Sequence, residues 1–416
     1  MSTADRMVEH ATCLGCGCAC DDIAVVVSRG RITAARNACP LGQAWFGDGT
    51  LPAETRAHDR PTTLEQALHE ARSLLTGAKR PLVYLAADVS CEAYRAGVAI
   101  ADRLRAALDT LGAAAAAGTL AAQRRGRAAA TLGELRQRAD LLVFWAVDPS
   151  ARYPRYASRY AVAPPGLDTP AGRSSRTVVA VDVGASGGPA DADQRVRLGP
   201  ADEVDALGVM RAVVQGRTGT DEPRFVPAAE LARRMSTARY VALVVDGEPG
   251  PEPAEPDRAE ALVTLAQALN GPTRCALSTL RGGGNRSGAD AVLTWQTGFP
   301  FAADFAHGAP EYRPHADAAA LLAASEIDAA LVIGAAASLP EAVARGLAGI
   351  ATVVIGPRAS AAAWRPAVAI DTGVAGIHEG GTACRMDDVP LPLRPALSAP
   401  HAAVATLQAL GEELAR

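Results

Sequence analysis

From residue 64 to residue 356 the chain alternates between amphipathic stretches and short, unbroken apolar runs, and that alternation limits the folds open to it. "LEQALHEARSLL" and "CEAYRAGVAIADRLRAAL" carry apolar residues at helical spacing. "PLVYLAA", "DLLVFWAVD", "RTVVAVDV", "RYVALVVDG", "CALSTL", "DAALVIGAA" and "ATVVIG" are strand-length runs without polar alternation. A strand apolar on both sides must be covered on both faces, the usual condition of parallel strands joined by helical crossovers. The expected class is α/β, built from βαβ units with helices on both faces of parallel sheets. An apolar fraction of 49% with only 4% aromatics suits helices packed closely on sheets.

Three segments are expected, with approximate boundaries and lobes free to interleave: residues 1–55 as a Cys-rich module, 56–235 as one α/β lobe and 236–416 as a second, with a C-terminal tail. "PPGLDTPAGRSS" (164–175) and "DGEPGPEPAEPD" (246–257) are rich in Pro, Gly and charge and read as exposed loops. The basic run "QRRGR" (123–127) reads as a solvated loop.

The opening module holds five of the eight cysteines in its first 39 residues. Cys13, Cys16, Cys20 and Cys39 give the spacing C-x2-C-x3-C-x18-C. Between Cys20 and Cys39, "IAVVV", "SRG" and "RITAA" read as strand, tight turn and strand, which folds Cys39 back towards the other three. Three thiolates from one loop and a remote fourth suit a [4Fe–4S] cubane. Zinc more often takes two C-x-x-C pairs, and only one is present; a thiol cluster that holds nothing is the third reading. Cys18 reads as a bystander among the ligands, and His10 as a lone solvent-facing residue. Cys91 and Cys275 read as buried packing residues.

The N-terminal residues lack the apolar run of a signal peptide, and no stretch is apolar enough to span a bilayer. A cytoplasmic setting is expected, where clustered thiols more often hold metal than disulfides. The formal charge of −4 gives no electrostatic case for nucleic acid or an anionic membrane.

"CLGCGCACDDI", "NACPLG", "SCEA", "DPSARYPRYASRY", "RGGGNRSGAD", "TWQTGFP" and "GIHEGGTACRMDDVPL" follow in order from residue 13 to residue 392. Together they resemble the B subunit of formylmethanofuran dehydrogenase, over almost the whole chain. The resemblance implies Rossmann-like parallel-sheet lobes of the molybdopterin oxidoreductase (formate dehydrogenase-like) superfamily, preceded by a small N-terminal Cys-rich β module. It implies no C-terminal barrel, because a separate subunit supplies it. By resemblance Cys13, Cys16, Cys20 and Cys39 match the four ligands of a [4Fe–4S] cluster, and Arg281 matches an arginine at the reaction site. Tyr153, Arg155, Tyr156, Arg159 and Tyr160 read either as a phosphate grip or as a buried connector. "TWQTGFPFAADF" (294–305) reads equally as pocket lining, core or interface. Cys384 stands where the family more often has an aromatic residue.

One feature of the family is missing. Redox members carry a Cys or Sec followed by His as metal ligand and reaction-site residue, and here Ala116 and Ala117 occupy that position. No Cys lies between Cys91 and Cys275, and no His between His69 and His307. The expectation is a non-redox scaffold subunit without catalytic residues, in which Arg281 is vestigial and the tungsten or molybdenum pterin is lost. Its complex would transfer and hydrolyse a formyl group in tetrahydromethanopterin-linked one-carbon metabolism, from formaldehyde to formate. The expected partners are hydrolase-like, formyltransferase and other subunits, with no nucleic acid and no membrane. The alternative is a redox-active catalytic subunit using a tungsten or molybdenum bis-pterin cofactor.

Overall fold

Each apolar run of the sequence becomes a strand in the computed structural model, which describes residues 6–217, 222–249 and 257–416. The strands join two separate units. Unit 1 comprises residues 1–114 and 282–416, and unit 2 comprises residues 115–281.

The centre of unit 1 is a parallel sheet in the order Ala107–Thr110, Pro81–Leu85, Ala329–Ile333, Ala351–Gly356, Val368–Asp371. Numbered along the chain, that is 2-1-3-4-5, one of the two common doubly wound orders. Short antiparallel strands extend both edges, making nine strands in all. Alternate side chains of one strand feed opposite faces. Val83 and Leu85 pack with helices Leu64–Gly77, Cys91–Leu104, Arg286–Thr297 and Ala403–Glu413. Leu82 and Tyr84 pack with Ala318–Ala323 and Glu341–Leu347.

Also in unit 1 is a three-stranded antiparallel sheet, Arg6–Ala11, Ile23–Ser28 and Arg31–Arg36. The last two strands form the hairpin expected from the sequence, and Gly30 takes φ +75° at its turn. A two-stranded hairpin, Gly381–Cys384 with Pro390–Leu393, precedes the final helix. The described strands form no closed barrel.

Unit 2 is a five-stranded, wholly parallel sheet in the order Gln194–Leu198, Thr177–Val183, Leu141–Trp145, Tyr240–Asp246, Arg274–Leu280. Along the chain that order is 3-2-1-4-5, the Rossmann arrangement. Helices Glu203–Val214, Val226–Thr237 and Arg258–Leu269 bury their apolar faces on one side of it.

This division differs from the expected one. A cut after residue 235 would fall inside helix Val226–Thr237, and a cut after residue 55 inside strand Thr55–Ala57. Alternation reveals which segments are strands but not which strands pair, and unit 1 draws its sheet from both sides of unit 2. "QRRGR" also differs from its expected loop. Its first three residues end helix Ala116–Arg125, where Arg124 and Arg125 pair with Glu260. Part of the 246–257 segment lies outside the described residues. Among the described residues, no helix is long and apolar enough to cross a membrane.

Candidate functional site: the cysteine loop and the Arg281 region

The cysteine loop is closed by its own backbone. Cys13 N donates to Cys20 O at 2.9 Å and Ala19 N to Cys16 O at 3.2 Å, so three cysteines share one tight turn. Cys39 is the N-cap of helix Pro40–Phe46, and Pro40 starts that helix with a φ it can hold without strain. Gly42, one turn later, faces the loop. A Cβ placed there would sit 3.1 Å from Cys13 Sγ and 3.9 Å from Cys39 Sγ. The two sulfurs therefore face one small space, within roughly the 6 to 7 Å over which a cubane spreads its ligands.

Burial first, and then the neighbouring Cys16, Cys20 and Cys39 sulfurs, push the Cys13 thiol well above its usual range. Cys18 is tied to Cys16 by a thiol hydrogen bond that, with burial, raises it too. Gathered, buried thiols resist ionisation unless a cation compensates them. Among the described residues, no three His, Cys, Asp or Glu side chains converge on a point as ligands of one metal ion do. A cubane asks for something different, one sulfur for each of four irons. The donor set is all thiol, the chemistry that an iron–sulfur cluster takes, and the contacts at Gly42 place the Cys13 and Cys39 sulfurs on one space.

The glycines of "RGGGN" lie against this loop. Gly284 N donates to Leu14 O at 2.8 Å, and a Cβ at Gly283 would overlap Leu14 O and lie 2.8 Å from Cys16 N. Here the lack of a side chain lets the chain approach itself closely. Asn285, φ +64° and 3% exposed, donates from Nδ2 to Val89 O and accepts at Oδ1 from Cys384 N, both at 2.9 Å. Trp45 donates its indole N–H to Asp88 Oδ1 at 3.3 Å, just past the end of strand Pro81–Leu85. Gly42, Asn285 and the Trp45–Asp88 bond are not singled out by sequence reasoning. Their only trace there is the density of Gly and Asn beside an apolar run.

In unit 2, Arg281 follows strand Arg274–Leu280, and its Nε lies 3.3 Å from Oε1 of Glu248. In the "YPRYASRY" segment Tyr153, Tyr156 and Tyr160 are buried, and Arg155 and Arg159 are half-buried. Tyr153 donates its hydroxyl to Asp246 at 3.0 Å, which Arg152 also binds at 2.9 Å. The Tyr156 and Ser278 hydroxyls share a hydrogen bond at 3.0 Å. The Arg159 guanidinium lies over the Tyr160 ring at 5.2 Å. Two tyrosine hydroxyls are thus engaged inside the chain. Arg155 precedes the π-turn Tyr156–Ala161.

Ala116 and Ala117 open helix Ala116–Arg125, Ala117 on its exposed side. Their side chains are methyl groups without a donor atom. In unit 1, "TWQT" ends helix Arg286–Thr297, Phe299 stacks on Tyr312 at 4.9 Å, and Phe301 and Phe305 are buried.

No protein-family model matches the chain. It is 31% identical to the B subunit of tungsten-containing formylmethanofuran dehydrogenase 2 from Methanocaldococcus jannaschii, over 95% of each chain. It is 31% identical to the B subunit of the formyltransferase/hydrolase complex Fhc from Methylorubrum extorquens, over 76% of this chain and 84% of that one. Its fold is similar to a chain in the crystal structure of the FhcABCD complex of that organism with methylofuran. The TM-score is 0.72 at 24% identity, over 87% of this chain and 98% of that chain.

Proposed function

The chain belongs to the family of formylmethanofuran dehydrogenase B subunits, and we infer that it is a non-redox structural subunit of a cytoplasmic formyltransferase/hydrolase complex. The complex passes a formyl group from a tetrahydromethanopterin carrier to a methanofuran-type carrier and hydrolyses it to formate. Hydrolase-like and formyltransferase subunits do that chemistry.

One feature carries the reading: by resemblance, Ala116 and Ala117 stand where redox members have the metal ligand and its histidine, while the fold is similar to that of a chain of FhcABCD. The surroundings support it. Arg281 is engaged by a buried carboxylate, which supports a structural part for it. Selection that keeps a fold and discards its chemistry acts on surface, and obligate subunit contacts commonly bury over about 2,000 Å².

Cys13, Cys16, Cys20 and Cys39 are the residues that would hold a [4Fe–4S] cluster. Such a cluster supplies one-electron transfer where a redox partner exists, and otherwise cross-links a module too small for a core of its own. The second role is the one proposed.

Deleting this subunit from the co-expressed complex tests the reading. Dissociation or instability of the remaining subunits is expected, with no viologen reduction by the intact complex. Dye reduction that depends on this chain would restore the redox alternative.

A further inference from the structure

In unit 2, the loop that precedes strand Thr177–Val183 is tied down by a buried arginine. Arg176 is 5% exposed, and all five of its side-chain N–H donors are used inside the chain. Nε donates to Ala139 O at 3.2 Å, and Nη1 to Val162 O at 3.0 Å and Pro164 O at 2.7 Å. Nη2 donates to Arg136 O at 2.6 Å and to Thr169 Oγ1 at 2.7 Å. None of these acceptors is a carboxylate. A cation is thus buried on neutral acceptors alone, an arrangement folded proteins seldom use.

The loop also seats on the C-terminal end of helix Leu132–Arg138. Leu167 N donates to Gln137 Oε1 at 2.9 Å, and Asp168 N to Gln137 O at 2.8 Å. A Cβ at Gly166 would overlap Arg136 O and lie 2.8 Å from Gln137 Cα, so only glycine allows this approach. Arg239 Nη2 donates to Asp168 O at 2.8 Å.

What this fixed backbone turns outward is apolar. Ala163, Pro165, Leu167, Pro170 and Ala171 are exposed. Leu167, at 72%, is the most exposed large hydrophobic side chain among the described residues. A lone exposed leucine is ordinary. One held on a loop that is already ordered loses little freedom when it docks, which favours binding.

The charges beside the tip indicate what it meets. Arg239 is paired with Asp140 at 3.3 Å and Arg173 with Asp193 at 2.7 Å. Glu134 accepts the Tyr240 hydroxyl at 3.1 Å, and Asp168, the loop's own carboxylate, is half-buried. Arg136 and Arg138 flank Gln137, are exposed, and form no ion pair among the described residues.

We propose that residues 163–171 are a preformed docking knob that seats Leu167 in an apolar hollow of a partner subunit, bordered by carboxylates that meet Arg136 and Arg138. The proposal rests on the reading of this chain as a structural subunit.

The test uses the intact co-expressed complex, diluted stepwise and weighed by single-particle mass measurement. Leu167→Asp should raise the concentration at which this subunit leaves the complex by about tenfold or more, as loss of a central contact does. Circular dichroism of the variant should match wild type, because Leu167 packs outward. Arg136→Glu with Arg138→Glu should raise that concentration severalfold and remove the weakening by salt that wild type shows. A photo-crosslinking amino acid at position 167 should join this chain to one other subunit. Dissociation of Leu167→Asp at the wild-type concentration, or a cross-link only to a second copy of this chain, would overturn the proposal. If deleting the whole subunit disperses the complex while Leu167→Asp does not, the docking knob falls and the structural reading stands. Viologen reduction dependent on this chain would overturn the structural reading itself, and the proposal with it.

Discussion

Arg281 Nε lies 3.3 Å from Glu248 Oε1, and the two side chains are 13% and 2% exposed. The arginine that resemblance assigns to a reaction site is thus one half of a largely buried ion pair. Removing one partner of such a pair leaves a buried charge uncompensated, at a cost of about 3 to 5 kcal/mol. Arg281→Ala is therefore expected to lower the melting temperature of the subunit by several degrees. Formate production per assembled complex should stay near wild type. Thermal denaturation and a formate assay on the same preparation check both halves. Loss of activity in an intact, stable complex would return Arg281 to the chemistry.

Gly42→Val is expected to lower iron and acid-labile sulfide while leaving circular dichroism unchanged. Its side chain would enter the space beside Cys13 and Cys39 Sγ. Equal iron in variant and wild type, after anaerobic purification, would separate these sulfurs from any cluster.

Gly283→Ala should destabilise unit 1 by about 1 to 3 kcal/mol, the usual range for overpacking. The atoms its methyl group meets, Leu14 O and Cys16 N, are backbone and cannot rotate away. Chemical denaturation measures the loss directly. A neutral result would mean that the glycines of "RGGGN" do not seat on the cysteine loop.

Burial pushes the Glu379 carboxyl up to about 7, although Ala403 N donates to it at 2.8 Å. In the unfolded chain it returns to about 4.3. Between those values the folded state holds a proton that the unfolded state has released. The stability this group contributes is therefore complete below about pH 4.3 and is lost as pH rises to about 7. Glu379→Gln keeps the acceptor without the titration. Its melting temperature should fall less than that of wild type between pH 5 and pH 8, and parallel curves would contradict the assignment.

Much of this molecule is legible in its sequence because parallel strands buried on both faces leave unbroken apolar runs. Pro81–Leu85, Leu141–Trp145 and Ala329–Ile333 are all visible in that way. The discontinuous unit 1 is not legible, because strand Pro81–Leu85 finds its neighbour Ala329–Ile333 across the whole of unit 2. The strand Ala107–Thr110 is hidden by its length of four residues and its buried Asp109, whose carboxylate is held by the N–H groups of Thr110, Ala302 and Ala318. The cysteine spacing points to the loop. The glycine opposite it, Gly42, comes from a helix that meets the loop only after folding.

Quantifying tungsten and molybdenum in the anaerobically purified complex tests the central claim most directly. A scaffold with alanines at 116 and 117 should carry neither metal in stoichiometric amount, whatever its iron content. Tungsten or molybdenum near one atom per chain would contradict it and make this subunit a redox enzyme.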